Sequence, residues 1–394
     1  MRSEWKKYAL EDVCEKIYSG GTPSTKHPEY WDGNIKWLSS GETSQRFVYD
    51  TERKITQLGV DNSSTKKATK GCTVIATAGQ GHTRGQASFL MTDTYMNQSV
   101  IACKANEKII DPLFLYYNLD NRYEEFRLLS DGTSTRGGLS GWIVKRIEIQ
   151  IPCIAEQCTI ARILKSLDEK IEVNNKINKN LLQQMESLYK AWFIDFDPFD
   201  GNRPVDWQKS DIYSIANIIY GAPFASKLFN TNGEGIPIIR IRDLKEQAFV
   251  TYTTENHPKG HLIQPGDIVV GMDGEFRPYI WGNTEAWLNQ RVCIFENKRP
   301  KGKAFVLFTI NPLLYQIEQT QVATTVIHIG KKDYDAFEFY LPDNNTLNQY
   351  DEITSPMIDR IVVNSLENKR LATIRDKLLP RLMSGEMDVS KLDL

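Results

Sequence analysis

A catalytic centre in this chain would need a phosphate-cradling loop, a metal-ligand cluster or an activated nucleophile, and each candidate fails on spacing. The run Gly79-Gln80-Gly81-His82-Thr83-Arg84-Gly85 misses the dinucleotide spacing by one residue and opens no helix. No G-x-x-x-x-G-K-[ST] stretch occurs, so an NTP-binding loop has no support. An adenine methyltransferase motif needs a second proline, which Asp111-Pro112-Leu113-Phe114, Asn311-Pro312-Leu313-Leu314 and Asp197-Pro198-Phe199 all lack. His257 and His261 are four apart, but Pro258 and Gly260 between them break the helix a zinc pair would require. The expectation is a chain with no catalytic residue and no metal.

Binding chemistry is present instead. One set of polar loops carries Thr22, Ser24, Lys26 and Tyr30, then Gln80, Thr83 and Arg84, then Ser134, Thr135 and Arg136. A second set carries Tyr220 and Lys227, Arg240 and Arg242, Asp273 and Arg277, and Asn289, Gln290 and Arg291. Arginine suits guanine edges, amides suit adenine, carboxylates suit the cytosine amino group, and hydroxyls and lysines suit phosphates. That mixture suits the base edges and phosphates of a nucleic acid. Taken singly, each residue reads more readily as turn chemistry, and Asn97-Gln98 and Asn289-Gln290 at least as readily as strand entries.

These loops must be held by something, and the sequence repeats itself to hold them. Lys170-Ile171-Glu172-Val173-Asn174 matches Arg360-Ile361-Val362-Val363-Asn364 at an offset of 190, as does IEIQIP (147–152) with FEFYLP (337–342). GCTVIATAG (71–79) resembles GDIVVGMDG (266–274), and Asn97-Gln98 resembles Asn289-Gln290, at offsets of 195 and 192. Several matches in one order mark a duplication. Each copy opens with short β-like runs, such as IKWL (35–38), CTVIAT (72–77), IPIIRI (236–241) and TVIHI (325–329), and a helix is predicted near 112–129 with a counterpart near 312–319.

Each copy then closes on a heptad seam. Ile160, Leu164, Leu167, Ile171, Asn174, Asn178, Leu181, Met185, Leu188 and Trp192 alternate in spacings of four and three. Met357, Ile361, Asn364, Asn368, Leu371, Leu378 and Leu382 continue the pattern in the second copy. Pro198 is expected to end the first helix, Ser355-Pro356 to start the second and Ser384-Gly385 to close it. Paired antiparallel about a pseudo-two-fold axis, the helices would set Asn174 against Asn368 and Asn178 against Asn364, fixing register.

Bulk properties agree. The 394 residues hold 48 Lys+Arg against 50 Asp+Glu, which excludes a strongly basic nucleic-acid coat protein. Residues 1–152 carry 20 basic and 18 acidic side chains, and 198–348 carry 15 and 17, so any phosphate-binding face is local. No apolar run reaches the roughly 18 residues of a membrane span. The opening MRSEWKKYALEDVCEK lacks the apolar stretch of a signal peptide, which makes a cytoplasmic protein the expectation. The six cysteines, without a C-x-x-C pair, read as reduced and buried.

The whole chain resembles the specificity subunit of type I restriction-modification systems. The resemblance rests on YSGGTPS and EYWDGNIKWLS (18–39), GCTVIATAG, MNQSV, STRGGLS (134–140), the helix segment 151–193 and the distal segment 364–387. It departs at NNTLNQYDEI (344–353), which replaces the Glu156-Gln157 element of the first helix. The resemblance implies an α+β fold: target recognition domains at 1–152 and 198–348, a central long helix in 153–197, and a distal helix and tail in 349–394. It implies double-stranded DNA with an asymmetric bipartite site, two methyltransferase subunits and motor-nuclease subunits as partners in a bacterial or archaeal cell, with S-adenosylmethionine, ATP and Mg bound by those subunits and no cofactor in this chain. Two other readings stand beside it: a related restriction system with another catalytic partner, and a coiled-coil scaffold that binds proteins. A standalone methyltransferase or nuclease is disfavoured by the missing motifs.

Overall fold

Two 40-residue helices, Ile154–Phe193 and Asn344–Met383, begin and end at the same offset of 190 that relates the sequence repeats. They belong to a computed structural model that describes residues 4–78, 83–131, 138–320 and 328–389. The chain divides into one unit of Met1–Glu169 with Ala372–Leu394 and another of Lys170–Leu371, so each unit owns part of both helices. Sheets and helices in each unit make the fold α+β.

The helix ends correct two expectations. The second helix starts at Asn344, not at Ser355-Pro356: the Asp343 carboxylate accepts from the backbone N–H of Asn345 and Thr346 at 2.9 and 3.0 Å. Leu347 and Tyr350, both buried, lie in the turns that this adds. Burying each contributes about 1.5–3 kcal/mol, enough together to offset the roughly 3 kcal/mol cost of an interior Pro356. The first helix stops at Phe193, ahead of Pro198, where Ile194 and Asp195 both donate back to the Lys190 carbonyl and Phe196 turns left-handed at φ 58°. The Glu-Gln element also has a substitute. Gln157 fastens the first helix through Asp111 N–H and the Ile109 and Pro152 carbonyls, whereas Arg299 fastens the second through Asp351, Asn344 and Asn348. At the far end of the second helix Gly385, at φ 66°, closes the chain as expected.

In the first unit a five-stranded sheet runs in the order Cys14–Ser19, Val100–Ala105, Thr73–Ala76, Ala87–Leu90, Phe47–Val48. A second sheet runs Arg53–Ile55, Trp31–Leu38, Thr94–Met96, Lys66–Ala68, with Trp31–Leu38 parallel to Thr94–Met96. Lys6–Ala9 pairs antiparallel with Glu148–Ile151, closing the unit just before the helix. Its main core gathers Phe114, Tyr116 and Tyr117 with Ile160 and Leu164 of one long helix and Leu379 and Leu382 of the other.

The second unit repeats this plan. Ala216–Tyr220, Val292–Asn297, Ile268–Gly271 and Pro278–Ile280 form one sheet, and Ile236–Ile239 runs parallel to Ala286–Leu288 in the other. Gln208–Asp211 closes on Glu338–Leu341. The single helix predicted near 112–129 is two, Pro112–Asp120 and Tyr123–Asp131, and its counterpart is the longer Lys303–Thr320 with Pro312 inside. The difference lies in packing: Asp111 caps Leu113 and Phe114 in the first unit, whereas buried Phe305, Val306 and Leu307 carry the second-unit helix past its proline. Of TVIHI, residues 325–327 lie outside the described residues, and His328 makes an isolated bridge to Asp273.

Candidate nucleic-acid interface

The polar loops sit where strands end, and the same backbone hydrogen bonds frame them in both units. In the first, Gly21 N–H donates to Met96 O (3.0 Å), Asn97 to Leu38 O (3.1 Å), Thr77 to Ser99 O (2.8 Å) and Leu139 to Thr77 O (2.8 Å). In the second, Ala222 donates to Leu288 O (3.0 Å), Asn289 to Ile239 O (3.2 Å), Met272 to Arg291 O (2.8 Å) and Ile329 to Met272 O (2.9 Å). Residues 77, 96–99 and 139 map onto 272, 288–291 and 329 at the sequence offsets of 195, 192 and 190, whereas 21 and 38 map onto 222 and 239 at 201. A Cβ on Gly20 would stand 1.9 Å from Met96 O, and one on Gly221 2.0 Å from Asn289 O, so both close approaches require glycine.

Within the first frame Thr22 is exposed and its hydroxyl donates to Gln98 Oε1. Ser24 and Lys26 are exposed on the same loop, and Tyr30 stacks on His27 with ring centroids 4.8 Å apart. Thr83 is half-buried, its carbonyl taken by Gln86 N–H in a turn. Arg84 is not an open base reader: its guanidinium is paired with Asp131 and only 13% exposed. Gln80, Ser134, Thr135 and Arg136 lie outside the described residues.

The second frame gathers a different set. Asp273 Oδ1 lies 2.6 Å from His328 Nδ1 and 3.9 Å from an exposed Arg291 held at φ 69°. His328, 55 residues from Asp273, carried no sequence signal. Gln290 and Lys227 are exposed, and Tyr220 sits at the end of its strand, its hydroxyl pushed above the ordinary tyrosine value by burial. Three residues expected to face DNA are instead engaged within the unit. Arg240 is bonded to Asp243 and Thr251, with Arg242 beside the same carboxylate at 3.9 Å but itself exposed. Arg277 is clamped by Glu318, whose carboxyl that guanidinium holds below its ordinary value. Asn289 is buried at the strand entry.

The seam asparagines meet inside the second unit. Asn174 Nδ2 donates to Asn368 Oδ1 (2.9 Å) and Glu367 (2.7 Å), and Asn364 Nδ2 donates to Asn178 Oδ1 (2.8 Å). Each pair joins positions whose numbers fall in one helix as they rise in the other, an antiparallel register. Hydrogen bonds from Asn174, then Lys170, hold the Glu367 carboxyl below its usual range. In the first unit the contact between the helices is ionic. Buried Asp168 accepts from Arg375 (2.7 Å) and Tyr117 (2.7 Å), with Arg46 at 3.3 Å. Among the described residues no group of three or more His, Cys, Asp or Glu is placed to hold a metal, and no helix is long and apolar enough to cross a membrane.

Two like units, each presenting a framed cluster of polar loops and each locked to a share of two long helices, define a duplicated recognition protein. The family model for the type I restriction modification DNA specificity domain matches twice, over residues 2–183 and 204–375, and the chain belongs to that family. It is 24% identical over 413 residues to the MjaIX specificity subunit of Methanocaldococcus jannaschii, covering 99% of this chain and 95% of that one. It is 22% identical to the HindI specificity subunit of Haemophilus influenzae over 98% of this chain and 100% of the relative. The fold is also that of a type I restriction-modification S subunit from M. genitalium, with a TM-score of 0.59 at 16% identity and 96% of each chain covered.

Proposed function

We propose that this chain recognises an asymmetric bipartite DNA site, each β-rich unit reading one half. The observation that carries the reading is the doubled loop frame: like backbone anchoring presents Thr22 and Lys26 in one unit but Lys227, Arg291 and Asp273 in the other. A common frame with different side chains is what reading two different half-sites demands. The long helices act as the ruler between the halves and as the dock for two methyltransferase subunits, which motor-nuclease subunits then join. Adenine methylation and ATP-driven cleavage are the work of those partners, with S-adenosylmethionine, ATP and Mg bound there.

Single-molecule methylome sequencing of cells expressing the chain with its methyltransferase tests this. The expected result is a bipartite methylated motif with a fixed non-specific spacer, degraded in its second half alone by Arg291→Ala. Absence of any motif, despite a stable complex and an active methyltransferase, would turn the assignment toward a protein-binding scaffold.

A further inference from the structure

The Asn-Gln pair at 97–98 and 289–290 is retained in both copies of the frame, while its flanks differ: Met96 against Leu288, and Ser99 against Arg291. The structure separates the two residues by role. Asn97 Oδ1 accepts from Ser99 N–H at 3.0 Å and Asn289 is buried at the strand entry, so the asparagines turn toward the frame. Both asparagine backbones are also pinned, N–H to the strand ending at Leu38 or Ile239 and carbonyl to Val100 or Val292 N–H. The glutamines are exposed in both units. No hydrogen bond engages the Gln290 side chain among the described residues, and Gln98 takes a single one, from the Thr22 hydroxyl to its Oε1. A turn needs no glutamine there, because the frame closes through its backbone hydrogen bonds, to which Asn97 adds one side-chain bond in the first unit.

We propose that Gln98 and Gln290 are equivalent specificity residues, each reading one adenine in its own half-site. A primary amide donates to adenine N7 and accepts from N6 in the major groove, a pairing that no other base edge completes. The Thr22 hydroxyl occupies one lone pair of Gln98 Oε1, which fixes the amide orientation and leaves Nε2 to donate and the second lone pair to accept. The rigid turn supplies the positional accuracy that a flexible loop would lack. The inference rests on the bipartite-site reading, and it adds that two otherwise different half-sites share one chemically identical contact.

The test uses the full chain with its methyltransferase and compares wild type, Gln98→Ala, Gln290→Ala and the double variant by methylome sequencing. Thermal melting of each complex confirms that it is folded, as expected for exposed side chains. Gln98→Ala should relax one adenine position of the first half-site and Gln290→Ala one of the second, with discrimination there falling roughly 5- to 150-fold. Every other position and the spacer should hold. An unchanged motif, or methylation lowered evenly across sites as loss of a phosphate contact would produce, overturns the proposal. A wild-type complex that yields no bipartite motif would instead overturn the underlying reading.

Discussion

Cys293 shows how placement sets the chemistry of a residue: burial pushes its thiol up to about 12, with Tyr334 Oη 3.2 Å from the sulfur. Cys72 and Cys103 are buried as well, but Cys14 is half-buried and Cys153 and Cys158 are exposed around the start of the first long helix, which corrects the expectation that all six are interior. Alkylation follows the thiolate and its access. Brief iodoacetamide treatment of the folded protein at pH 8 should therefore modify Cys153 and spare Cys72, Cys103 and Cys293. Peptide mass spectrometry reads the pattern, and labelling of Cys293 at the rate of Cys153 would contradict the buried strand. Asp168 is the other telling residue. Replacing it with alanine leaves Arg46 with Asp120 and Arg375 with Asp376 but removes the buried carboxylate that both arginines and Tyr117 share, and breaking such a buried network costs about 3–5 kcal/mol. Urea denaturation should show that loss, with only a small effect from Asp376→Ala at the exposed edge of the same cluster.

At the scale of the element, the cap of the second long helix carries a pH-dependent prediction. The Asp343 carboxyl is held below its ordinary value by the Thr346 hydroxyl and then by the backbone N–H groups it accepts. A carboxylate lowered in the folded state contributes stability above its unfolded pKa, and that contribution fades as pH falls through the lowered folded value. Asp343→Ala should cost about 0.5–2 kcal/mol at pH 7, as N-cap losses do. The gap between variant and wild-type melting temperatures should close on acidification below pH ~4. A gap that stays constant from pH 7 to pH 3 would show that the cap does not act through its charge. The seam asparagines are legible at this scale too: their heptad positions alone set Asn174 opposite Asn368, because an antiparallel pair with a 190-residue repeat has one register that stacks both polar layers.

For the whole molecule, both long helices cross from one unit to the other, at 169–170 and at 371–372. One heptad inserted at each crossing keeps the seam in phase and adds about 10.5 Å of helix at 1.5 Å per residue. The methylated motif should keep both half-sites and gain a spacer longer by about three base pairs, at 3.4 Å per pair along the duplex. An unchanged spacer in the methylome of that variant would refute the ruler.

The sequence by itself determined the duplication, the two long helices, their antiparallel register and the absence of familiar catalytic motifs. Those features are periodic or local, and periodicity survives in a bare string because each residue repeats the information of its neighbours. Only the tertiary structure decided which polar loop residues face outward. Arg84 meets Asp131 across 47 residues, Arg277 meets Glu318 across 41 and Asp273 meets His328 across 55. Such partners are joined by chain folding and carry no mark in local composition. The start of the second helix was hidden for a related reason: burial of Leu347 and Tyr350 outweighed a proline that, judged by local rules, should have begun the helix twelve residues later. Local rules weigh the cost of the proline, whereas the folded unit also counts the apolar surface buried in front of it.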